Sequence, residues 1–208
     1  MRLTRFSSRR LPALGRVSLI ASAAFSLAVP ALLAQAAQPS GLSPELAKVR
    51  AALDKYQDPI MAVHDGYFST LACVEYPVPG KPGEVPYPAG GMGVHFFNVP
   101  LMGPELDSMK PQVLVYEPRG DKLVLVAAEW FVPLSTGIKE RPKLFGHPFD
   151  GPMEGHHPLM PGTMTHYDLH VWLWKDNPAG MFSPTNPGVK CPKTGYTLQE
   201  KAPRIVSQ

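Results

Sequence analysis

The sequence predicts an α+β fold, in which an N-terminal helix, kinked or split at a proline, packs on an antiparallel β-sheet or partial β-barrel. Three observations lead to this prediction. Apolar residues recur at helical spacing soon after a basic and apolar leader. Runs rich in β-branched and aromatic residues follow, and proline- and glycine-rich loops separate them. We find no internal repeat, so we expect a single domain over residues 44–208.

The first 36 residues have the pattern of a cleavable export signal. They contain five arginines and no acidic residue, then an apolar run that ends in the small-x-small motif Ala34-Gln35-Ala36. The run is rich in alanine and serine and contains Pro30, which makes a membrane-spanning helix the weaker interpretation. We therefore expect a signal peptide over 1–36, a linker over 37–43 and a periplasmic or secreted protein, with no membrane span after cleavage.

Charge and cysteine content limit the function classes further. Cleavage removes the five arginines of the leader, which lowers the formal charge from +3 to −2. No basic patch remains that would favour nucleic acid as a partner. Both cysteines, Cys73 and Cys191, lie in the mature chain, and in an oxidising compartment we expect them to form one disulfide. Metal binding by these thiols is the weaker alternative, because neither belongs to a Cys-x-x-Cys motif.

The helix is predicted to begin at residue 44. Ser43-Pro44-Glu45 offers a capping hydroxyl, a proline at the first helical position and an acid in the first turn. An apolar stripe then runs from Leu46 to Tyr67, and it includes Ile60 and Val63. Pro59 interrupts this stripe, so it should kink or split the helix.

Four runs predict strands, over residues 93–99, 113–117, 123–132 and 167–174. Between the last two lies a long proline-rich segment, 133–165, whose aromatic and methionine content argues against disorder. A loop of that length in a compact domain is usually functional.

The last predicted strand and its neighbours contain the candidate metal ligands. Alternate residues of a strand share one face, so His166, Asp168 and His170 should point to the same side. Glu129 and His95 stand in otherwise apolar strands, where a carboxylate is costly unless it is paired or bound to a cation. We predict a zinc, iron or copper site formed by His95, Glu129, His166 and His170, with Asp168 orienting one imidazole. A salt bridge from Glu129 to a lysine or arginine is the alternative.

A second group of candidate ligands lies in the long loop. It consists of Met153, His156, His157, Met160 and Met164. Thioether and imidazole ligands together favour copper, so a copper-handling protein is one interpretation. The other is a methionine-lined lid over the mouth of the barrel, since methionine fills irregular gaps.

Aromatic residues support an alternative that involves no metal. Phe97, Trp130, Trp172 and Trp174 could line a pocket for an apolar small molecule, which would make the protein a non-catalytic binding module. The sequence contains neither a Gly-x-Ser-x-Gly motif nor a phosphate-binding glycine loop. It therefore leaves open whether the metal site is catalytic.

Several motifs resemble a family of uncharacterised secreted bacterial proteins. The resemblance covers most of the mature chain and implies a bacterial exported protein, without an activity, because none is assigned to that family. The motifs are Gly91-Met92-Gly93-Val94-His95, Tyr116-Glu117-Pro118, Glu129-Trp130-Phe131, the segments 144–151 and 166–172, and the closing segments 177–182 and 186–191.

Overall fold

The computed structural model describes residues 41–193 and 197–207. The predicted signal peptide and most of the predicted linker lie outside these residues, so cleavage stays a prediction. Within the described part of the chain, no helix has both the length and the apolar character needed to cross a membrane.

The N-terminal helix is split, as the sequence predicted. Helix α1 spans Pro44–Leu53, and the backbone N–H of Leu46 donates to the Ser43 hydroxyl at 3.2 Å. A 3-10 turn follows, and α2 (Pro59–His64) begins at the proline, which has no backbone N–H to continue the first helix. The break also rotates the second piece. Ala62 is therefore buried, whereas Ile60 and Val63 are exposed, so the prediction of one continuous apolar stripe was wrong beyond the break.

Seven strands form one curled sheet in the order β7-β8-β4-β3-β2-β1-β9, and β5 and β6 form a separate ribbon. The sheet is mixed, because β1 and β9 are parallel while the other neighbours are antiparallel. The fold is mostly β with a short helical segment, which agrees loosely with the predicted α+β class. The strands are β1 (Phe68–Tyr76), β2 (Gly90–Phe97), β3 (Val113–Arg119), β4 (Lys122–Pro133), β5 (Lys143–Leu144), β6 (His147–Pro148), β7 (Asp150–Met153), β8 (His166–Val171) and β9 (Thr197–Gln199).

The two faces of the sheet form separate cores. The helix face includes Leu114, Trp130 and Leu169, which share one core with Leu53 of α1. The opposite face includes Phe97, Val113, Val115, Ala127 and Phe131. We call it the cavity face, because a small cavity lies beside Phe97 and Phe131. Alternation along β2, β3, β4 and β8 explains this division, because successive side chains point to opposite faces.

A bulge between β3 and β4 reverses the face of one residue. Val115 pairs with Ala127, but Tyr116 pairs with Leu125, so Val126 is the extra residue. Leu125 consequently lies in the helix-face core, although strict alternation along β4 would place it on the same face as Glu129.

The predicted disulfide between Cys73 and Cys191 is confirmed. It links β1 to the C-terminal segment, across 118 positions of the chain. The alternative in which these thiols bind a metal is thereby excluded.

Candidate metal centre

Three strands bring His95, Glu129 and His170 together on the cavity face. Glu129 of β4 lies directly opposite His170 of β8, so their side chains are neighbours on the same face. His95 of β2 is opposite Val115 of β3, and β3 lies between β2 and β4. The curl of the sheet brings the His95 ring back towards Glu129 across that strand.

The distances within this group fit ligands that share an ion. Glu129 Oε2 lies 3.6 Å from His95 Nε2 and 3.4 Å from His170 Nε2. These separations exceed the roughly 2.7–3.2 Å of a good N–H···O hydrogen bond. Two ligands bound about 2.0–2.2 Å from a tetrahedral zinc ion lie about 3.3–3.6 Å from each other. One donor atom from each residue lies within 4.8 Å of the other two.

Two of these three donor atoms, Glu129 Oε2 and His170 Nε2, are buried without hydrogen-bond partners in the described part of the chain. His95, Glu129 and His170 are 6%, 3% and 1% exposed. Among the residues that the structure describes, Glu129 Oε2, His95 Nδ1 and both ring nitrogens of His170 have no partner. No lysine or arginine in this part of the chain forms an ion pair with Glu129, so the salt-bridge alternative has no support. Each buried group without a partner costs about 1–3 kcal/mol, which a bound cation would offset.

A small cavity adjoins this group. It has a volume of about 20 Å³, and its walls include Met92, Phe97 and Phe131, with Leu159 and Met160 contributed by the long loop. A cavity of about 10–15 Å³ on this measure holds one water molecule. The space therefore suits an ion or a water rather than an organic ligand.

Burial favours the neutral form of these side chains. It lowers the pKa of His95 to about 3 and the pKa of His170 well below its ordinary value, so both imidazoles are neutral at pH 7. Burial, with a contribution from the charge of Asp168, raises the pKa of Glu129 well above its ordinary value. Metal binding would therefore compete with protons at Glu129 more than at the histidines.

His166 belongs to a different group from the other predicted ligands. Its donor atom lies within 4.8 Å of donor atoms of His156 and Asp168, and that group does not include His170. The reason is spacing, because four residues of a strand span about 13 Å. Asp168, predicted to orient an imidazole of the first site, is a possible ligand in this second group.

The candidate ligands of the long loop do not converge on one point. Met153 is buried, and its sulfur lies 3.2 Å from the Tyr87 hydroxyl oxygen. Met160 lines the cavity, whereas His157 and Met164 are exposed. This placement favours the lid interpretation over a copper site built from the loop alone.

The four aromatic residues predicted to line one pocket lie on different faces. Phe97 lines the cavity, and Trp172 belongs to the same core cluster. Trp130 and Trp174 belong to the helix-face core instead. Trp130 is on that face because it alternates with Glu129, and Trp174 lies beyond the end of β8, where the strand alternation no longer applies.

Comparison with known proteins gives no relative from which an activity could be inferred. No protein-family model, curated protein or solved structure matches the chain. The resemblance to secreted bacterial proteins thus stays a prediction, and the site must be interpreted from its own geometry.

Three residues near the site were not singled out by the sequence. The Tyr76 hydroxyl contacts His156 Nδ1 at 2.8 Å and donates to Glu200 Oε2 at 3.1 Å, and the Tyr87 hydroxyl donates to Asp168 Oδ2 at 3.3 Å. Tyr76 ends β1, and Glu200 follows β9, so both depend on how the sheet edge is completed. A charged residue buried in a C-terminal tail has no local sequence signal.

Proposed function

We propose that this chain is an exported metalloprotein in which His95, Glu129 and His170 bind one zinc or iron(II) ion. The observation that carries the proposal is that Glu129 Oε2 and His170 Nε2 are buried without hydrogen-bond partners among the described residues, at ligand-like distances from each other and, for Glu129 Oε2, from His95 Nε2. Two histidines and one carboxylate are a donor set that both metals accept in proteins.

The number of ligands supports a catalytic rather than a structural centre. Structural zinc sites are usually closed by four protein ligands, whereas catalytic sites keep one position for water or substrate. Here three side chains converge beside the small cavity. We infer a metal-dependent enzyme whose substrate either is about the size of a water molecule or requires Leu159 and Met160, which line the cavity, to move.

Copper is the second candidate metal. Met92 and Met160 both line the cavity, and thioether sulfur favours copper(I) over zinc. Substituting both methionines by leucine distinguishes the metals, because it should weaken copper(I) binding and leave zinc binding nearly unchanged.

The disulfide supports export. Disulfides persist mainly in oxidising compartments, and Cys73 is bonded to Cys191. The leader with its Ala34-Gln35-Ala36 motif supplies the route.

The test is metal analysis of protein purified from the periplasmic fraction, followed by titration of the metal-free protein with zinc, iron(II) and copper(I). We expect stoichiometric metal, and a mature mass that corresponds to a chain beginning at Ala37. His170→Ala and Glu129→Gln should lose the metal of this site. Glu117→Gln is the matched control, because Glu117 is also a buried carboxylate but pairs with Arg119 and Lys175.

Two results would contradict the proposal. Wild-type protein that binds none of the three metals more tightly than millimolar has no such site. A Glu129→Gln variant that keeps the full metal content would show that the ion is held elsewhere.

A further inference from the structure

We propose that His156, His166 and Asp168 form a second metal-binding centre on the cavity face, which takes a divalent transition-metal ion of its own. The three donor atoms lie within 4.8 Å of one another. His166 Nε2 is 3.7 Å from Asp168 Oδ2, close to the separation of about 3.3–3.6 Å between two ligands of one tetrahedral ion. His166 and Asp168 are both fully buried.

The hydrogen bond of His166 leaves its other ring nitrogen free to bind a metal. Nδ1 lies 3.1 Å from the backbone carbonyl oxygen of Met164. A carbonyl oxygen can only accept, so Nδ1 carries the proton and Nε2 presents its lone pair. Histidine ligands in proteins are commonly oriented in this way, by donating their second N–H to a carbonyl or carboxylate.

His156 is oriented in a similar way by a chain of two partners. The Tyr76 hydroxyl donates its only proton to Glu200 Oε2 at 3.1 Å. At its contact of 2.8 Å with His156, the same hydroxyl must therefore accept, so His156 Nδ1 carries a proton. The lone pair of His156 is then on Nε2, as in His166.

Both oxygens of Asp168 keep a lone pair for a metal. Oδ2, the oxygen 3.7 Å from His166 Nε2, accepts one hydrogen bond, from the Tyr87 hydroxyl at 3.3 Å, whereas Oδ1 has no hydrogen-bond partner in the described part of the chain. His166 Nε2 likewise has no partner there. A polar cluster with a purely structural role would pair these atoms, since buried polar groups in proteins are nearly always hydrogen-bonded.

The second centre adjoins the first. His156 lines the small cavity beside His95 and Glu129, and the rings of His156 and His166 are 5.2 Å apart. Alternation along β8 places His166, Asp168 and His170 on the same face. Two ions would thus border one small cavity, and a water-sized ligand in that cavity would contact both. This last step depends on the proposed first site, whereas metal binding at the second centre does not.

The test is titration of the metal-free, full-length mature protein with cobalt(II), whose visible absorption reports coordination, and with zinc(II). We expect the wild type to bind two equivalents. Asp168→Asn, which keeps the size of the side chain, should bind one, and His170→Ala should bind one. The double variant should bind none, and His64→Ala, at an exposed histidine, should bind two.

The Tyr76→Phe variant tests whether Tyr76 positions His156 for metal binding. It removes the acceptor of the His156 N–H, so it should weaken only one of the two binding steps by roughly 10–100-fold. Far-ultraviolet circular dichroism of each metal-free variant confirms that the fold is retained.

The outcomes distinguish the two proposals. A wild type that binds one equivalent, which His170→Ala loses and Asp168→Asn keeps, overturns the second centre and leaves the first intact. One equivalent that both variants lose shows a single composite site and also overturns the second centre. No binding by the wild type overturns both proposals, and two equivalents in Asp168→Asn overturn this ligand assignment.

Discussion

On the helix face of the sheet, buried aromatic side chains donate to backbone carbonyl oxygens, whereas on the cavity face buried histidines and carboxylates face one another. The Tyr67 hydroxyl donates to the carbonyl of Pro111 at 2.7 Å, and the Tyr116 hydroxyl donates to that of Tyr56 at 2.6 Å. Trp130 Nε1 donates to the carbonyl of Asp107 at 3.0 Å. Each of these polar groups gains a partner without giving up its apolar contacts.

On the cavity face, several buried polar groups lack such partners. Within the described residues, Glu129 Oε2, His166 Nε2, Asp168 Oδ1 and both nitrogens of His170 have no hydrogen-bond partner. Such atoms lower the stability of the metal-free protein, and most of them belong to the side chains proposed as metal ligands. The comparison teaches that polar groups on the helix face add stability, whereas those on the cavity face lower it unless the proposed ions bind.

The largest effect should come from truncating the helix-face core. Leu53 of α1 is only 2% exposed and packs in that core. We expect Leu53→Ala to lower the free energy of unfolding by about 2–5 kcal/mol, because it leaves a cavity under the helix. Urea unfolding of the metal-free protein measures this change, and metal stoichiometry should stay at the wild-type value.

Met160→Ala is the matched truncation on the other face. Met160 is only partly buried, so its loss should cost clearly less stability while it opens the cavity. Equal destabilisation by the two substitutions would contradict the division of roles between the faces.

The pH dependence of stability should also separate the two faces. Burial raises the pKa of Glu200, next to the cavity face, to about 7, and burial raises the pKa of Tyr67, on the helix face, above its ordinary value of 10. A group with a higher pKa in the folded state stabilises fully below its unfolded pKa and loses that contribution as the pH rises. Glu200 should therefore lose its contribution between about pH 4.5 and 7, and Tyr67 above about pH 10.

Urea unfolding at fixed pH values, with a chelator present, measures these contributions. One proton changes the free energy of unfolding by at most about 1.4 kcal/mol per pH unit. Glu200→Gln should remove its part of the slope between pH 5 and 7, and Tyr67→Phe should remove its part between pH 10 and 11. If either variant altered both ranges, the two faces would not titrate independently.

The sequence predicted elements whose signals are local. Ser43 and Pro44 mark the start of α1, and the β-branched runs mark β3 and β4. β1 was missed because its alternation is broken by a register shift between Ser69 and Cys73, where Leu71 has a φ of 63°. β9 was missed because it is short and is defined by pairing with β1, which no local pattern shows.

For the candidate site, the sequence showed which residue types could bind a metal, but it did not show the register in which the strands pair. Glu129 and His95 were recognised because they interrupt apolar strands. The separation of His166 from His170 follows from the pairing of β8, in which His166 is opposite Pro133 while His170 is opposite Glu129. The contribution of His156 requires the path of the long loop, and that of Glu200 requires the C-terminal tail, so neither could be derived from spacing along the chain.

The smallest expected effect comes from removing one polar group from each face of the metal-free protein. Tyr116→Phe should cost about 1 kcal/mol, because the Tyr56 carbonyl loses the hydroxyl that donates to it. Glu129→Gln should change stability by less, because Glu129 Oε2 has no hydrogen bond to lose and burial, which raises the pKa of Glu129, favours its neutral form.

Added metal should reverse this order. A ligand at one hundred times its Kd stabilises the folded state by about 2.7 kcal/mol, and Tyr116→Phe should keep that gain while Glu129→Gln loses the part due to the first site. Thermal unfolding of wild type and both variants, with zinc and with chelator, measures all six states. If Glu129→Gln destabilised the metal-free protein more than Tyr116→Phe, Glu129 would have a structural partner, and the contrast between the two faces would be wrong.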